Sequence, residues 1–199
     1  MPLEAFDNHP GAPDPAAQNT IAHETAWALL HRLRDSTDPG AIERTIDYVG
    51  THGIDDVAAL WAQSGSHTLP GALWRLYLIH GSVAKDLDTA SYAYRRGAML
   101  DRSANRIVAG ALEPTGPREI RDLIDRILRG AFVGDFGDAL DRAAAFSAVM
   151  SIGYESIAGD AERSDEERAH LATRRSLHFL EFAQDLGSSA RLWRARRLE

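Results

Sequence analysis

The sequence predicts an all-α protein, built as a single-domain bundle of about eight or nine helices around a buried central helix at about 70–85. Apolar residues recur three and four positions apart through most of the 199 residues, which is the spacing of one helix face. Alternating β-branched runs are absent, and no Asn-Gly or Asp-Gly pair separates two strand-like segments. A helical period without a competing strand signal indicates a helical bundle.

The first 18 residues are predicted to form a flexible arm. They contain four prolines among small and acidic residues, and therefore bury too little apolar surface to fold alone. Residues 19–199 fall within the size range of one domain with a core of its own. The predicted organisation is an arm of residues 1–18 followed by one helical domain.

Three helices are predicted before the central one. The first covers about 20–35, where apolar residues follow helical spacing. The second begins at Pro39, because Asp38 can cap free N–H groups and proline at the first helical position loses no hydrogen bond. It ends near Gly53, and a third helix covers about 55–63.

The centre of the predicted bundle is a pair of helices. Residues 70–85 are apolar over a wide arc, and Trp74 and Leu78 add apolar side chains on the opposite side. A helix that is apolar on nearly all sides is typical of the middle of a bundle. Residues 87–108 have one apolar side and arginines on the other, so we expect this helix to border solvent.

The remaining helices follow from three further stretches. The clearest amphipathic helix opens at Pro117, and a long helix begins at Asp135 and ends near residue 158. A capping box at 164–167 starts another helix, which Gly187 is expected to end before a last short helix. The residues expected to face the core from the first two are Ile120, Leu123, Ile124, Ile127, Leu128, Phe136, Leu140, Ala143, Ser147, Met150, Tyr154 and Ile157. Phe146, Val149 and Ile152 are expected to widen this face on the second of them. Those expected to face the core from the next helix are Leu177, Phe179, Leu180 and Ala183.

The composition excludes several kinds of site. The chain has no cysteine, so it has no disulfide, no thiolate metal site and no thiol nucleophile. Its formal net charge is -7, and the stripe of Arg95, Arg102 and Arg106 lies opposite an apolar face, where solvated charges are expected. No apolar run approaches the roughly 18 residues that a membrane helix needs. We therefore predict a cytoplasmic protein that binds neither nucleic acid nor membrane.

No motif for catalysis, a metal or a cofactor is complete in the sequence. His23 and Glu24 begin an HExxH zinc motif, but Trp27 stands where the second histidine belongs. Glu167 and His170 form one ExxH unit where a di-iron bundle uses two, and a solvated helix face explains both residues. Glycine-rich phosphate loops and the GxSxG and SxxK nucleophile motifs are absent. The sequence predicts no catalytic residue, no metal and no cofactor.

Five polar or aromatic residues near the centre form a candidate ligand-binding set. Tyr77 and His80 lie on the apolar arc of the central helix with Arg75 nearby, and a core histidine with a polar partner is the simpler interpretation of His80. Tyr92 and Arg96 belong to a short aromatic and basic cluster that could hold an anion. The alternative function is therefore a binding protein or enzyme for an anionic small molecule.

The favoured function is a non-enzymatic interaction or regulatory module that binds itself, as a possible homodimer, or another protein. Trp74 and Leu78 on the minor face of the central helix, and Trp193 in the last helix, are the candidate interface residues. Such apolar side chains are either covered by other helices of the same chain or form an interface.

Three stretches resemble a family of small all-helical actinobacterial proteins. They are ALWRLYLIHGSVAKD, YRRGA and GDFGDALDRAAAFSAVMSIG, which are similar to the family's LWxLYLL, YRAGRA and GDFxxALxRAAAF segments. The resemblance covers about residues 70–195. It implies a helical fold and an actinobacterial host, and it carries no activity and no functional residue over to this chain.

Overall fold

The structure, a computed structural model, describes residues 15–34, 40, 44, 60–101 and 116–198. No strand occurs among these residues, and nearly all of them are helical, which confirms the all-α class. The helices are α1 (Pro15–Arg34), α2 (Leu69–Lys85), α3 (Leu87–Leu100), α4 (Pro117–Val133), α5 (Phe136–Ala161) and α6 (Glu166–Arg194).

These described ranges hold six helices, which does not match the eight or nine expected from the sequence. One difference arises in α6, which continues through Gly187 to Arg194 instead of breaking into two helices. Glycine inside a helix costs only about 0.5–1 kcal/mol relative to alanine. The buried side chains of Leu186 and Ala190 on either side hold this part of α6 against the core. The helices predicted at 39–53 and 55–63 lie largely outside the described residues.

The first and third helices have other bounds than the sequence suggests. α1 begins at Pro15, so the last residues of the predicted arm are helical, and proline suits this first position. The rest of the predicted arm lies outside the described residues. α3 ends at Leu100, whereas the sequence predicts a helix as far as 108. Arg102 and Arg106 of the predicted arginine stripe also fall outside the described residues.

Aspartate side chains cap the two longest of the described helices. Asp135 caps α5 as predicted, and its carboxylate accepts the backbone N–H of Asp138 at 2.9 Å. α6 is capped by Asp165, whose carboxylate accepts the backbone N–H of Arg168 at 3.0 Å. The predicted capping box, which assigns this place to Ser164, is therefore wrong by one residue.

The bundle is organised around α5 and α2. α5 and α6 are the longest of the described helices, and the short turn at 162–165 joins them as an antiparallel pair. α3 and α4 pack against α5, which carries the largest group of buried residues. α2 packs against each of the other five described helices, but it is not buried all round, since Trp74, Tyr77 and Leu78 are half-buried. The central position predicted for 70–85 is thus shared with α5.

The apolar stripes that the sequence predicts on α4 and α5 are buried. Every residue predicted to face the core from these two helices is buried, including the hydroxyl-bearing Ser147, except Ile152, which the sequence places at the edge of the α5 face and which is half-buried. Burying one large apolar side chain contributes about 1.5–3 kcal/mol. The helical period of the sequence therefore identified the core faces of both helices.

α3 crosses α5 at two glycines. A Cβ on Gly97 would collide with the carbonyl oxygen of Val149, and a Cβ on Gly153 would collide with the carbonyl oxygen of Ala93. The two backbones therefore approach more closely than any residue with a side chain would allow. The crossing brings the exposed side of α3 beside the second half of α5, where a surface cleft forms.

Candidate functional site

α6 turns a different face to the core from the one that the sequence suggests. Phe179 is 2% exposed, as predicted, whereas Leu177 and Leu180 are 53% and 43% exposed and Ala183 is half-buried. The apolar residues of α6 that are buried are Ala172, Phe179, Leu186 and Ala190. The prediction is wrong for the two leucines because, at about 100° per residue, Leu177 and Leu180 lie about 160° and 100° around the helix from Phe179, whose side is the buried one.

Leu177 and Leu180 form one wall of a groove between α5 and α6, which we call the leucine groove. Its volume is about 380 Å³. It is lined by Ala148, Ser151, Ile152, Glu155, Ala158, Thr173, Ser176, Leu177 and Leu180. Small side chains let the two helices approach, and the hydroxyl oxygens of Ser151 and Ser176 lie 3.2 Å apart, within hydrogen-bond distance. The groove is a largely apolar channel beside two exposed leucines.

A second recess, which we call the tyrosine cleft, lies between α3, α5 and α6. Its volume is about 510 Å³. It is lined by Asp86, Asp88, Thr89, Tyr92, Tyr154, Ile157, Arg168, Leu171, Ala172 and Arg175. Two arginines therefore face two aspartates across a surface that also offers tyrosine rings and aliphatic side chains.

Two polar groups of the tyrosine cleft have shifted acidities with structural causes. The buried Tyr154 ring stacks on Phe179, and the Arg175 guanidinium lies 5.5 Å from its centroid while donating to the tyrosine hydroxyl at 3.4 Å. Burial raises the pKa of the Tyr154 hydroxyl, and the charge of Arg175 opposes this shift. Hydrogen bonds from Thr89 hold the pKa of Asp86, the cap of α3, below its usual value. Both shifts follow from packing and capping.

Two of the predicted ligand residues come together at the tyrosine cleft. Tyr92 lines the cleft, and Nη1 of Arg96 donates to its hydroxyl at 3.3 Å. Arg96 also forms a 2.7 Å ion pair with Asp160 of α5. The guanidinium of Arg96 is thus held beside the cleft by partners on α3 and α5.

The other predicted ligand residues are on α2 and do not line this cleft. Nε of Arg75 donates to the carboxylate of Asp185 on α6 at 2.7 Å. Nε2 of the buried His80 donates to the carboxylate of Asp125 on α4 at 2.9 Å. Arg75 and His80 therefore join α2 to its neighbours, and His80 has the polar partner expected of a core histidine.

The three predicted interface residues are half-buried, and the two tryptophans among them pack against other rings of the chain. Trp74 stacks on Tyr77 with ring centroids 5.3 Å apart, and Leu78 lies one turn along the same helix. Trp193 packs edge-on against Phe136 with centroids 4.9 Å apart. Both tryptophans lie against the core, so a large part of their apolar area is already covered.

The two recesses differ in how clearly the sequence points to them. Tyr154 and Arg175 are 21 positions apart on different helices, so only the packing of α5 on α6 brings them together. Leu177 and Leu180 carry a weaker signal, because apolar residues occur on every side of α6, Leu171, Phe182 and Leu192 among them. Some apolar residue of α6 must therefore face outward, but periodicity does not identify which one.

Comparisons with known proteins assign the chain to no family. No protein-family model, curated protein or solved structure matches the chain. Within the described ranges, no group of three or more His, Cys, Asp or Glu side chains is arranged to hold a metal ion. In the same ranges, no helix is long and apolar enough to cross a membrane.

Proposed function

We propose that the protein is a non-enzymatic helical module that binds a second copy of itself through the leucine groove. The observation that carries this proposal is the exposure of Leu177 and Leu180, which lie together on a long helix. Exposed apolar side chains that form a patch are typical of an interaction surface. These residues replace Trp74, Leu78 and Trp193 as the proposed interface, because Trp74 and Trp193 pack against the core of the chain and Leu78 is half-buried.

The surface is suited to a second copy because it offers both parts of a self-complementary contact. Leu177 and Leu180 project beside a groove lined mainly by small residues. In a two-fold dimer the same patch serves both subunits, so the leucines of each copy can pack against the leucine wall of the groove in the other. Burial of four leucines at about 1.5–3 kcal/mol each gives roughly 6–12 kcal/mol, against an association cost of roughly 4–15 kcal/mol. We therefore expect a weak dimer, with a dissociation constant that is micromolar at its tightest and closer to millimolar for average values.

A binding role without catalysis fits the polar groups that the structure describes. Asp86 and Tyr154 have shifted pKa values, which is a property that catalytic groups share. The low pKa of Asp86 follows from capping α3, and the high pKa of Tyr154 follows from burial against Phe179. Neither shift requires a catalytic explanation.

The proposed partner is a protein and not a nucleic acid. The formal net charge of -7 repels a phosphate backbone. The cysteine-free composition fits a reducing compartment, and the cytoplasm is therefore the proposed location.

Replacing Leu177 and Leu180 together by glutamate is expected to abolish self-association. The interface would have to desolvate four carboxylates, so the dissociation constant should rise by at least about 100-fold. Sedimentation over a concentration series measures the change. The unmodified chain is expected to rise from its monomer mass of 21.8 kDa toward twice that value, while the double variant keeps the monomer mass.

The control is Met99→Glu, which changes a 77% exposed apolar residue on α3, outside the leucine groove. This variant is expected to dimerise as the unmodified chain does. The proposal fails if the unmodified chain keeps its monomer mass at the highest concentration, or if the leucine variant and the control dimerise equally.

The tyrosine cleft supports a second candidate function, the binding of a small anionic molecule with an aromatic ring. Its volume of about 510 Å³ lies in the range of small-molecule sites. Arg168 and Arg175 could hold the anionic group, and Tyr92 could stack on the ring. Asp86 and Asp88 on the opposite side would favour a ligand that also has a hydrogen-bond donor.

A thermal-shift screen with aromatic carboxylates and nucleotides tests this second candidate. A ligand present at about 100 times its dissociation constant should stabilise the fold by about 2.7 kcal/mol. Arg175→Ala is expected to remove the shift, and Arg121→Ala, an exposed arginine on α4, is expected to keep it. If no compound shifts the melting temperature at millimolar concentration, the cleft is not a site for this class of ligand.

A further inference from the structure

We propose that α6 of one copy packs antiparallel against α6 of a second copy, around a two-fold axis that passes between Leu177 and Leu180. This inference rests on the proposed self-association, and it identifies the residues of the two copies that are in contact. It follows from a symmetry in the sequence of the exposed face of α6, which we call the α6 seam.

The α6 seam consists of two neighbouring rows with seven-residue spacing. One row is Glu166, Thr173, Leu180 and Gly187, and the other is His170, Leu177, Gln184 and Arg191. All are exposed except Gly187, which is half-buried. A seven-residue spacing keeps side chains on the line where two packed helices touch. The rows are four residues apart, so they are adjacent on the helix surface.

An antiparallel partner exchanges the two rows. With the axis between Leu177 and Leu180, each of these leucines meets the other leucine of the second copy. Thr173 lies four residues before Leu177 and Gln184 lies four residues after Leu180, so Thr173 faces Gln184 of the second copy. Every residue of one row thereby faces a residue of the other row.

The outer positions of the seam are complementary in size and charge. His170 lies seven residues before Leu177, and Gly187 lies seven residues after Leu180, so the imidazole of one copy meets a position without a side chain. Glu166 lies eleven residues before Leu177, and Arg191 lies eleven residues after Leu180, so opposite charges meet at both ends. Leucines at the centre and opposite charges at the ends are the pattern of a specific helix pair.

The charges also select the orientation. A parallel pair in register would place Glu166 beside Glu166 and Arg191 beside Arg191, which repel each other. Within the chain, Glu166 has a 3.7 Å contact with His170, and Arg191 donates to the hydroxyl of Ser188 at 2.9 Å. The Glu166 side chain is 89% exposed, so it can reach a partner without leaving a buried site.

Cysteine cross-linking tests the register on a background that contains no natural cysteine. Thr173→Cys and Gln184→Cys are prepared as separate full-length variants and are oxidised alone and mixed. The mixture is expected to form a disulfide-linked heterodimer. Each variant alone is expected to stay unlinked, because two copies of either position are eleven residues out of register, about 16 Å along the helix axis.

Charge reversal gives a second measurement that does not need a disulfide. Glu166→Arg alone is expected to weaken the dimer about tenfold, and Glu166→Arg combined with Arg191→Glu is expected to restore it. Arg121→Glu is a matched control, since this exposed arginine belongs to α4 and is not part of the seam. Its dimer is expected to keep the affinity of the unmodified chain.

The outcomes separate the register from self-association itself. Cross-linking of the mixture alone, with rescue by the double reversal, supports the antiparallel seam. A chain that dimerises by sedimentation overturns the seam, but not self-association, if a single cysteine variant links to itself or the double reversal brings no rescue. A chain that keeps its monomer mass overturns both proposals.

Discussion

Phe179→Ala is expected to lower the free energy of unfolding by about 4 kcal/mol, within the range measured when a buried phenylalanine is truncated to alanine. Phe179 is buried between two other rings: Tyr154 stacks on it at 5.7 Å, and Phe182 meets it edge-on at 6.0 Å. The substitution would leave a cavity beneath the tyrosine cleft, and the surrounding helices can fill it only in part. Chemical denaturation followed by circular dichroism measures the loss.

The matched control is the next residue of the same helix. Leu180→Ala removes a large apolar side chain that is 43% exposed, and exposed substitutions usually change stability by about 0.5 kcal/mol or less. Both variants are measured below the dissociation constant of the proposed dimer, so that only the folding of the monomer is compared. Equal losses would show that Leu180 is buried in the monomer and would contradict the observed orientation of α6.

The contrast between α4 and α6 shows when a sequence identifies the buried face of a helix. On α4, Ile120, Leu123, Ile124 and their neighbours form one continuous apolar face, and charged residues fill most of the rest of the circumference. Only one orientation buries that stripe, and it is the observed one. On α6 apolar residues occur on every side of the helix, so hydrophobicity alone permits several orientations. The packing of Tyr154 and Phe182 around Phe179 is compatible with the observed orientation of α6. No local sequence pattern predicts the contact with Tyr154, because that residue belongs to another helix.

Helix ends and clefts depend in the same way on contacts between distant residues. Gly187 is a local stop signal, but the burial of Leu186 and Ala190 carries α6 past it. The tyrosine cleft needs residues from α3, α5 and α6, and its geometry follows from how those helices cross. The hydrophobic periodicity of the sequence therefore predicted the fold class and the apolar faces of α4 and α5. The two recesses could not be predicted, because they form only where separate helices pack together.

Gly153→Ala is expected to lower the free energy of unfolding by about 3 kcal/mol, at the upper end of the usual cost of overfilling a packed interface. The added methyl group would collide with the carbonyl oxygen of Ala93, and the carbonyl carbon and Cα of Ala93 are also close. All three atoms belong to the backbone of α3, so no side chain can turn away to make room. Gly97 has the same relation to the carbonyl oxygen of Val149. Once α3 and α5 have separated, a second methyl group costs less, so the double variant should lose less than the sum of the two single losses.

Gly159→Ala in the same helix provides the control for this crossing. No described atom outside its own helical surroundings lies within 4 Å of the Cβ position at Gly159, so the methyl group meets open space. Alanine favours helix over glycine by about 0.5–1 kcal/mol, and this variant is therefore expected to be more stable than the unmodified chain. The two alanine substitutions should shift the denaturation midpoint in opposite directions. Shifts of the same sign and size would mean that α3 and α5 do not cross in backbone contact at Gly153.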